Sequence, residues 1–383
     1  MSIFDGQLHI NVSVASGLEQ TLKREITALG YTPGPAINGR VSLEGSIYDV
    51  GRLSVNLRTA NRIYIVLTKF VASTWDELYD RLYEIQWREI LPSNAKINML
   101  AKSVKSELYA LSSIQSVSKK AVVDKLKQEY AMLVLEESGE RYTIEVSIVE
   151  DVVSVCLDTS GSSLNKRGYR DLSVKAPLRE TLVSYIILSS VWKDDRVLVD
   201  PFCGSGTIPI EAAMIATHRA PNIDREFEYL SYSTIDSMID RVREEARDNI
   251  VEDKDLRISG FDIDANCISI SMHHAKRAGV DRYIHFQRQN ALDLSSRYAH
   301  GVIITNPPYG ERLLKPSEIH SLYRDFGKVF RSLREWSMYL LTAYPYTQEA
   351  IGREATKKQI VYNSELRCTL YKYLGAPPIR RED

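Results

Sequence analysis

The stretch Asp200-Pro201-Phe202-Cys203-Gly204-Ser205-Gly206-Thr207 constrains this chain more than any other. Arg196-Val197-Leu198-Val199 before it is short, apolar and β-branched, the composition of a strand buried in a parallel sheet. Ile208-Pro209-Ile210-Glu211-Ala212-Ala213-Met214-Ile215-Ala216 after it has helical composition, and a proline at this position is tolerated only in a helix's first turn. The reading is a strand, a tight glycine loop and a helix start. Gly204 and Gly206 let backbone approach a ligand closely, because neither carries a Cβ. No lysine follows the second glycine and the spacing is not Gly-x-Gly-x-x-Gly. A triphosphate loop is therefore excluded and a dinucleotide site disfavoured.

A second loop, Asn306-Pro307-Pro308-Tyr309-Gly310, follows the buried-looking strand Val302-Ile303-Ile304-Thr305. The two loops in this order resemble the amino-methyltransferases of the S-adenosylmethionine-dependent Rossmann-like superfamily. The resemblance implies S-adenosylmethionine as cofactor, held by the first loop, and a nucleobase amine held by the second. Asp200 is then placed to accept from the cofactor's ammonium, with Phe202, Gly204, Gly206 and Thr207 around the methionine part. Asp262 ends the next strand and fits the ribose role, with Asp264 as the competing choice. Asn290, with Asp293 near it, stands where that family usually places the acceptor for the adenine amine. Asn306 lies between cofactor and substrate. Its side-chain oxygen and the Pro307 carbonyl would accept the amine's hydrogens while Tyr309 stacks on the base. No metal is required.

Strands and helices alternate through this half of the chain. Arg257–Asp262, Ile284–Arg288, Val302–Thr305 and Trp336–Thr342 read as strands. The helices are expected near 264–278 and 317–333, with a helical insertion at about 218–249 and a closing antiparallel pair at 359–363 and 367–373. The fold class is α/β: a Rossmann-like catalytic domain over 161–383 with a mostly parallel seven-stranded sheet, preceded by an α+β region. Ligands in such folds sit at the carboxyl ends of the strands, where Asp200, Asp262, Asn290 and Asn306 all fall.

The α+β region divides into two. Residues 1–70 read β-α-β-α-β, a ferredoxin-like layer one strand short of the full pattern. Residues 71–160 continue with a helix at 75–85, a strand at 95–101, a helix at 116–130, and a hairpin turning at Glu150-Asp151. Lys102-Ser103-Val104-Lys105-Ser106-Glu107-Leu108, the basic helix and the valine-rich hairpin resemble a THUMP domain, which implies RNA binding through shape and phosphates. Thr159-Ser160-Gly161-Ser162-Ser163 is small and polar, the composition of a linker. The following Lys166-Arg167-Gly168-Tyr169-Arg170 and Ala176-Pro177-Leu178-Arg179-Glu180-Thr181 resemble the signature that precedes the catalytic domain of THUMP-linked guanine-N2 methyltransferases. That resemblance extends to the N-terminal half of the fused bacterial enzyme of large-subunit rRNA.

Charge supports a polyanionic partner locally rather than globally. The net charge is −1, yet residues 96–127 hold seven lysines against Glu107 and Asp124. Residues 163–179 hold Lys166, Arg167, Arg170, Lys175 and Arg179 against Asp171. Lys105, Lys119, Lys120, Lys166, Arg167 and Arg170 are the candidate RNA contacts. Hydrophobic content of 44% and charged content of 26% are those of a globular protein, and no apolar run is long enough to span a bilayer. Four scattered cysteines suggest neither a zinc site nor a disulfide framework. The expectation is a cytoplasmic, monomeric enzyme that methylates a guanine 2-amino group, with 23S rRNA or an assembling large ribosomal subunit as partner. An adenine-N6 methyltransferase of DNA or RNA, and a non-catalytic ribosome-assembly factor, are the competing readings.

Overall fold

Two seven-stranded sheets organise the molecule, one for each of two compact units. The computed structural model describes residues 4, 6–37, 39–172, 178–225, 227, 233–309 and 316–377. The first unit comprises residues 1–14, 22–164 and 225–244, and the second residues 15–21, 165–224 and 245–383.

The N-terminal sequence forms β1 (Leu8–Ser13), α1 (Glu19–Ala28), β2 (Ala36–Ile37), β3 (Arg40–Gly45), α2 (Ile47–Asn56) and β4 (Arg62–Val71). Ser46 caps α2 through a capping box with Asp49, which satisfies two backbone donors at the helix start. The strand that the periodicity missed is β2: two exposed residues are too few to show an alternation. With it the antiparallel order β2-β3-β1-β4 completes the ferredoxin-like pattern. Next come α3 (Trp75–Tyr83), β5 (Lys96–Val104), α4 (Leu111–Glu129), β6 (Arg141–Val149) and β7 (Val152–Asp158). The β6–β7 hairpin turns on Glu150 and Asp151, both at positive φ, as a two-residue hairpin turn of matching twist requires. Strand β7 pairs with β4, so the ferredoxin-like strands and the hairpin share one continuous sheet, β2-β3-β1-β4-β7-β6-β5.

The small residues expected to form a linker are tied down. Thr159 donates its N–H to the Ile63 carbonyl, and Ser160 Oγ accepts from Ile63 N at 2.7 Å. The buried Arg225 guanidinium donates to the carbonyls of Ser160 (2.9 Å) and Ser163 (3.2 Å) and to Ser162 Oγ (2.8 Å). Short side chains are what let one arginine reach so many carbonyls. The insertion that carries Arg225 continues into a helix whose Ile239 and Met238 pack on Ile47 and Gly51 of α2. Residues 225–244 therefore belong with the first unit, although they lie within the stretch assigned from sequence to the catalytic domain.

The second unit contains α5 (Glu180–Leu188), β8 (Leu198–Asp200) and α6 (Thr207–Ala216). The insertion helix α7 (Ser233–Asp248) leads into β9 (Ile258–Asp262), α8 (Ala265–Arg277), β10 (Ile284–Arg288) and β11 (Val302–Thr305). The chain closes with α9 (Pro316–Ser332), β12 (Ser337–Thr342), α10 (Thr347–Ile351), β13 (Lys357–Asn363) and β14 (Leu366–Tyr373). The order is β10-β9-β8-β11-β12-β14-β13. Pairs up to β12 are parallel, and only β14 runs against its neighbours. The order reverses between β8 and β11, whose carboxyl ends therefore frame the crevice where such sheets bind ligands. Val199, Ile303, Met338 and Leu340 pack against Tyr323, Phe326 and Phe330 of α9, which makes the strand ends a rigid platform.

Candidate active site

The glycine loop is suspended from β9 and α8. Cys203 N donates to the Phe261 carbonyl at 2.8 Å, and Gly204 N to Asp262 Oδ2 at 3.0 Å. On the other side Ser271 Oγ donates to the Gly204 carbonyl (2.8 Å), and the buried His274 places Nδ1 at 3.2 Å from the Ser205 carbonyl. His274 Nε2 accepts from Leu172 N at 3.4 Å, so Nδ1 is the protonated nitrogen. Burial lowers the His274 pKa and keeps the ring neutral, despite the Ser205 carbonyl and Asp171 beside it. Cys267, Ser271 and His274 fall at i, i+4 and i+7 on one face of α8. That spacing is the only sequence signal for Ser271 and His274, and it acquires meaning only once the helix is known to back the loop.

The two glycines have different jobs. Gly204 has φ +52° and a Cβ there would meet nothing within 4 Å, so this part of the loop faces open space. Gly206 has φ +80° and its Cβ would lie 2.9 Å from Ser271 Cβ and 3.1 Å from Phe286 Cζ. The missing side chain at Gly206 therefore serves packing against α8 and β10. Thr207, buried, opens α6 directly after it. Phe202 is half-buried, edge-on to Phe326.

Asp200 is 1% exposed and accepts from Phe202 N (3.1 Å) and Thr305 Oγ1 (2.7 Å), both on Oδ1. Burial raises its pKa to about 7, opposed by those two hydrogen bonds and reinforced by the charge of Asp262. Thr305 thus ties the end of β11 to the end of β8, and joins the two loops that the sequence singled out separately. Asp262 is half-buried and accepts from Gly204 N and, at 2.9 Å, from Asp264 N. Asp264 is exposed and caps α8, accepting from Asn266 N at 2.9 Å. Asn290 accepts from Leu292 N at 3.0 Å at the end of β10, while Asp293 is exposed.

Directly after Thr305, the Asn306 side-chain oxygen is buried and has no hydrogen-bond partner among the described residues. Burial pushes the Tyr309 pKa up, with Cys368, Asn306 and Asn363 the polar side chains beside it. Pro307 is buried. Gly310 lies outside the described residues, as do Ala176 and Pro177 of the upstream signature.

The candidate RNA contacts separate into two groups. Lys105 is exposed, at φ +51°, with its Nζ 3.9 Å from Glu150. Lys120 is exposed with its ammonium 5.6 Å from the centroid of the Tyr79 ring, and Lys166 is exposed. Lys119 is partly exposed and paired with Glu137 at 2.8 Å. Arg167 departs from the expectation. Its guanidinium is buried with Nε 3.6 Å from Glu211, in a network that includes Tyr169 and Ser184, so it cannot meet a phosphate. Arg170, largely buried, pairs with Glu180 (3.0 Å) and donates to the Leu178 carbonyl. Both arginines brace the interior of the second unit.

Comparison with known proteins gives these features a family. The model of the RMKL-like methyltransferase domain (UPF0020) matches residues 167–372. The chain belongs to the RMKL-like methyltransferase family. Ahead of that domain, residues 9–64 match the RlmL ferredoxin-like domain and residues 72–158 a THUMP domain. Within this family, YpsC of Bacillus subtilis (strain 168) is 38% identical over 360 residues, covering 93% of both chains. The ribosomal RNA large subunit methyltransferase K/L of Syntrophotalea carbinolica is 30% identical over 389 residues, 96% of this chain and 54% of that enzyme. The chain thus spans about half the length of the K/L enzymes it matches. Among solved structures, one described as a predicted N6-adenine-specific DNA methylase from Listeria monocytogenes superposes with TM-score 0.91 at 38% identity, covering 97% of each chain. SMU.472, complexed with SAH, gives TM-score 0.89 at 37% identity, covering 97% of this chain and 99% of that one.

Proposed function

We propose that the protein transfers a methyl group from S-adenosylmethionine to the exocyclic 2-amino group of a guanine in 23S ribosomal RNA. The observation that carries the reading is the buried oxygen of Asn306, which has no partner among the described residues and directly follows Thr305, itself hydrogen-bonded to the glycine-loop acid Asp200. A buried acceptor without a donor is costly unless a ligand completes it, and an amine hydrogen does so.

The chain's residues fit the cofactor. Open space above Gly204 admits the methionine part, and Asp200, which accepts from Phe202 and Thr305 on Oδ1, offers Oδ2 to an ammonium. Each Asp262 oxygen already takes one backbone N–H and retains capacity for a ribose hydroxyl, whereas Asp264 is engaged as a helix cap. Asn290 Oδ1 accepts from Leu292 N and keeps a second lone pair with which to accept from the adenine amine. When bound, S-adenosylmethionine supplies an already electrophilic methyl group. What remains for the protein is alignment. Asn306 Oδ1 and the Pro307 carbonyl accept the two amine hydrogens and hold the nitrogen lone pair toward the methyl, Tyr309 stacks on the ring, and the consecutive prolines fix the carbonyl's direction.

The THUMP domain favours RNA over DNA, and the ribosomal RNA large subunit methyltransferases among the relatives favour rRNA. Adenine N6 is the second reading, because the Asn-Pro-Pro-Tyr loop suits either amine and the Listeria structure carries that description. Nucleoside mass spectrometry of rRNA from a deletion strain tests the choice. Loss of N2-methylguanosine from 23S rRNA is the expected result, and loss of N6-methyladenosine alone overturns it.

A further inference from the structure

The closing hairpin β13–β14 outruns the sheet it completes. Thr342, the last residue of β12, pairs with Thr369. Three further rungs, Val361↔Cys368, Tyr362↔Arg367 and Asn363↔Leu366, lie beyond it. Because β12 is parallel to β11 and β8, this overhang rises on the carboxyl edge, the edge that carries Asp200 and Thr305. At the rise of an antiparallel strand the overhang stands roughly 10 Å above that edge. Its inner side chains, Cys368 and Asn363, flank Tyr309 of the base loop.

The opposite side of the same rungs is chemically distinct. Tyr362 is 47% and Ile360 49% exposed on β13, the outermost strand of the sheet. Arg367 lies directly across from Tyr362, and Lys357 and Lys358 follow along the edge. Arg179 brackets the tip, donating from Nε to Ser364 Oγ at 3.1 Å and from its backbone N–H to Asn363 Oδ1. Two cations, Arg179 and Arg367, thus flank the tip beside Glu365, with Lys357 and Lys358 at the far end of the same edge strand. An exposed edge strand with an aromatic and an isoleucine is a hazard unless it has a partner. Basic charge interleaved with an aromatic ring suits a single-stranded nucleic acid.

We propose that this overhang holds the RNA strand next to the target nucleotide, with Tyr362 stacking on a flanking base and Arg367 on a phosphate. The inference rests on the RNA methyltransferase reading and adds the surface that grips the flanking strand. A base drawn into the pocket at Tyr309 leaves its neighbours unstacked, and a ring two rungs above the strand ends is where one of them can regain a stacking partner.

The test uses the full-length protein and large-subunit rRNA purified from a deletion strain, in steady-state methylation beside cofactor titrations. Tyr362→Ala and Arg367→Glu are expected to raise the RNA KM about tenfold, with kcat within about twofold of the parent. Cofactor affinity stays parental, Tyr362→Phe restores the KM, and Arg367→Glu flattens the salt dependence by roughly one unit of slope. Parental RNA KM in both variants, from a parent that methylates the RNA, overturns the proposal. So does a change in oligomeric state with unaltered RNA kinetics, which would make this face a contact between copies. A parent that transfers no methyl group to RNA at all overturns instead the reading beneath it, before any variant is compared.

Discussion

Asp200 sits where a carboxylate is hardest to keep ionised, yet its proposed partner is a cation. With its pKa raised to about 7 by burial, it holds a proton in the folded state at pH values where the unfolded chain has lost it. Native protein therefore binds more protons than unfolded protein between about pH 4 and about pH 7, and stability falls as pH rises through that window. An ammonium beside Oδ2 favours the ionised form. S-adenosylmethionine affinity should rise as pH passes about 7 and fall above roughly 8, where an α-amine loses its own proton. Calorimetric titrations across that range should show the rise in the parent and lose it in Asp200→Asn; an unchanged profile in the variant would remove Asp200 from the cofactor site. Asp262→Ala should weaken the cofactor by ~1.5–3 kcal/mol, through loss of charge-assisted hydrogen bonding. Asp264→Ala should cost about 1 kcal/mol of stability as a lost helix cap, with cofactor affinity kept, as thermal melts and the same titrations would show. Asp200, Asp262 and Asn306 were legible in sequence because each ends a strand beside a turn signal. Thr305, Ser271 and His274 were not, because a side chain that acts by holding another loop's carbonyl or carboxylate leaves no local pattern.

At the scale of elements, the loop and α8 form one device, and its two glycines predict opposite phenotypes. Gly206→Ala forces a Cβ into Ser271 and Phe286 at left-handed φ, and should destabilise the fold by more than about 2 kcal/mol. Gly204→Ala meets no neighbour, so its stability cost should stay near ~1 kcal/mol while cofactor binding suffers. Denaturant melts beside titrations check the pair; equal stability losses would mean that the loop is not packed as described. The parallel strands and their helices were readable from composition, since strands such as Val302–Thr305 are buried on both faces and punctuated by turns. The two-residue β2 and the five-residue α10 were not, being too short for any period to show. The serine-rich 159–163 looked like a linker for the reason that makes it a clamp site: small side chains leave carbonyls bare for Arg225.

The whole molecule combines a methyltransferase domain with a THUMP domain, and its charge is distributed to match. Of the basic residues picked from sequence, those at the surface carry the prediction. Reversing Lys105 and Lys120 together should lower RNA affinity and reduce the slope of log affinity against log salt by roughly 1.5–2. Arg167→Ala should instead unfold or destabilise the protein, because it strands Glu211 in the interior. Filter binding over a salt series and thermal melts distinguish the two behaviours. Sequence could place positive charge along the chain but could not tell a phosphate contact from an interior brace, since Arg167 and Lys166 are neighbours with opposite burial. The central claim, that Asn306 presents a guanine amine of rRNA to the methyl donor, meets its most direct test in one measurement. Purified protein and Asn306→Ala are incubated with undermethylated 23S rRNA and S-adenosylmethionine under single-turnover conditions, and the product nucleosides are identified by mass spectrometry. The account predicts N2-methylguanosine from the parent and a rate ~10²–10³-fold lower from a folded, cofactor-binding Asn306→Ala, by analogy with removing one group from an oxyanion hole. N6-methyladenosine as the product, or parental turnover in the variant, would contradict it.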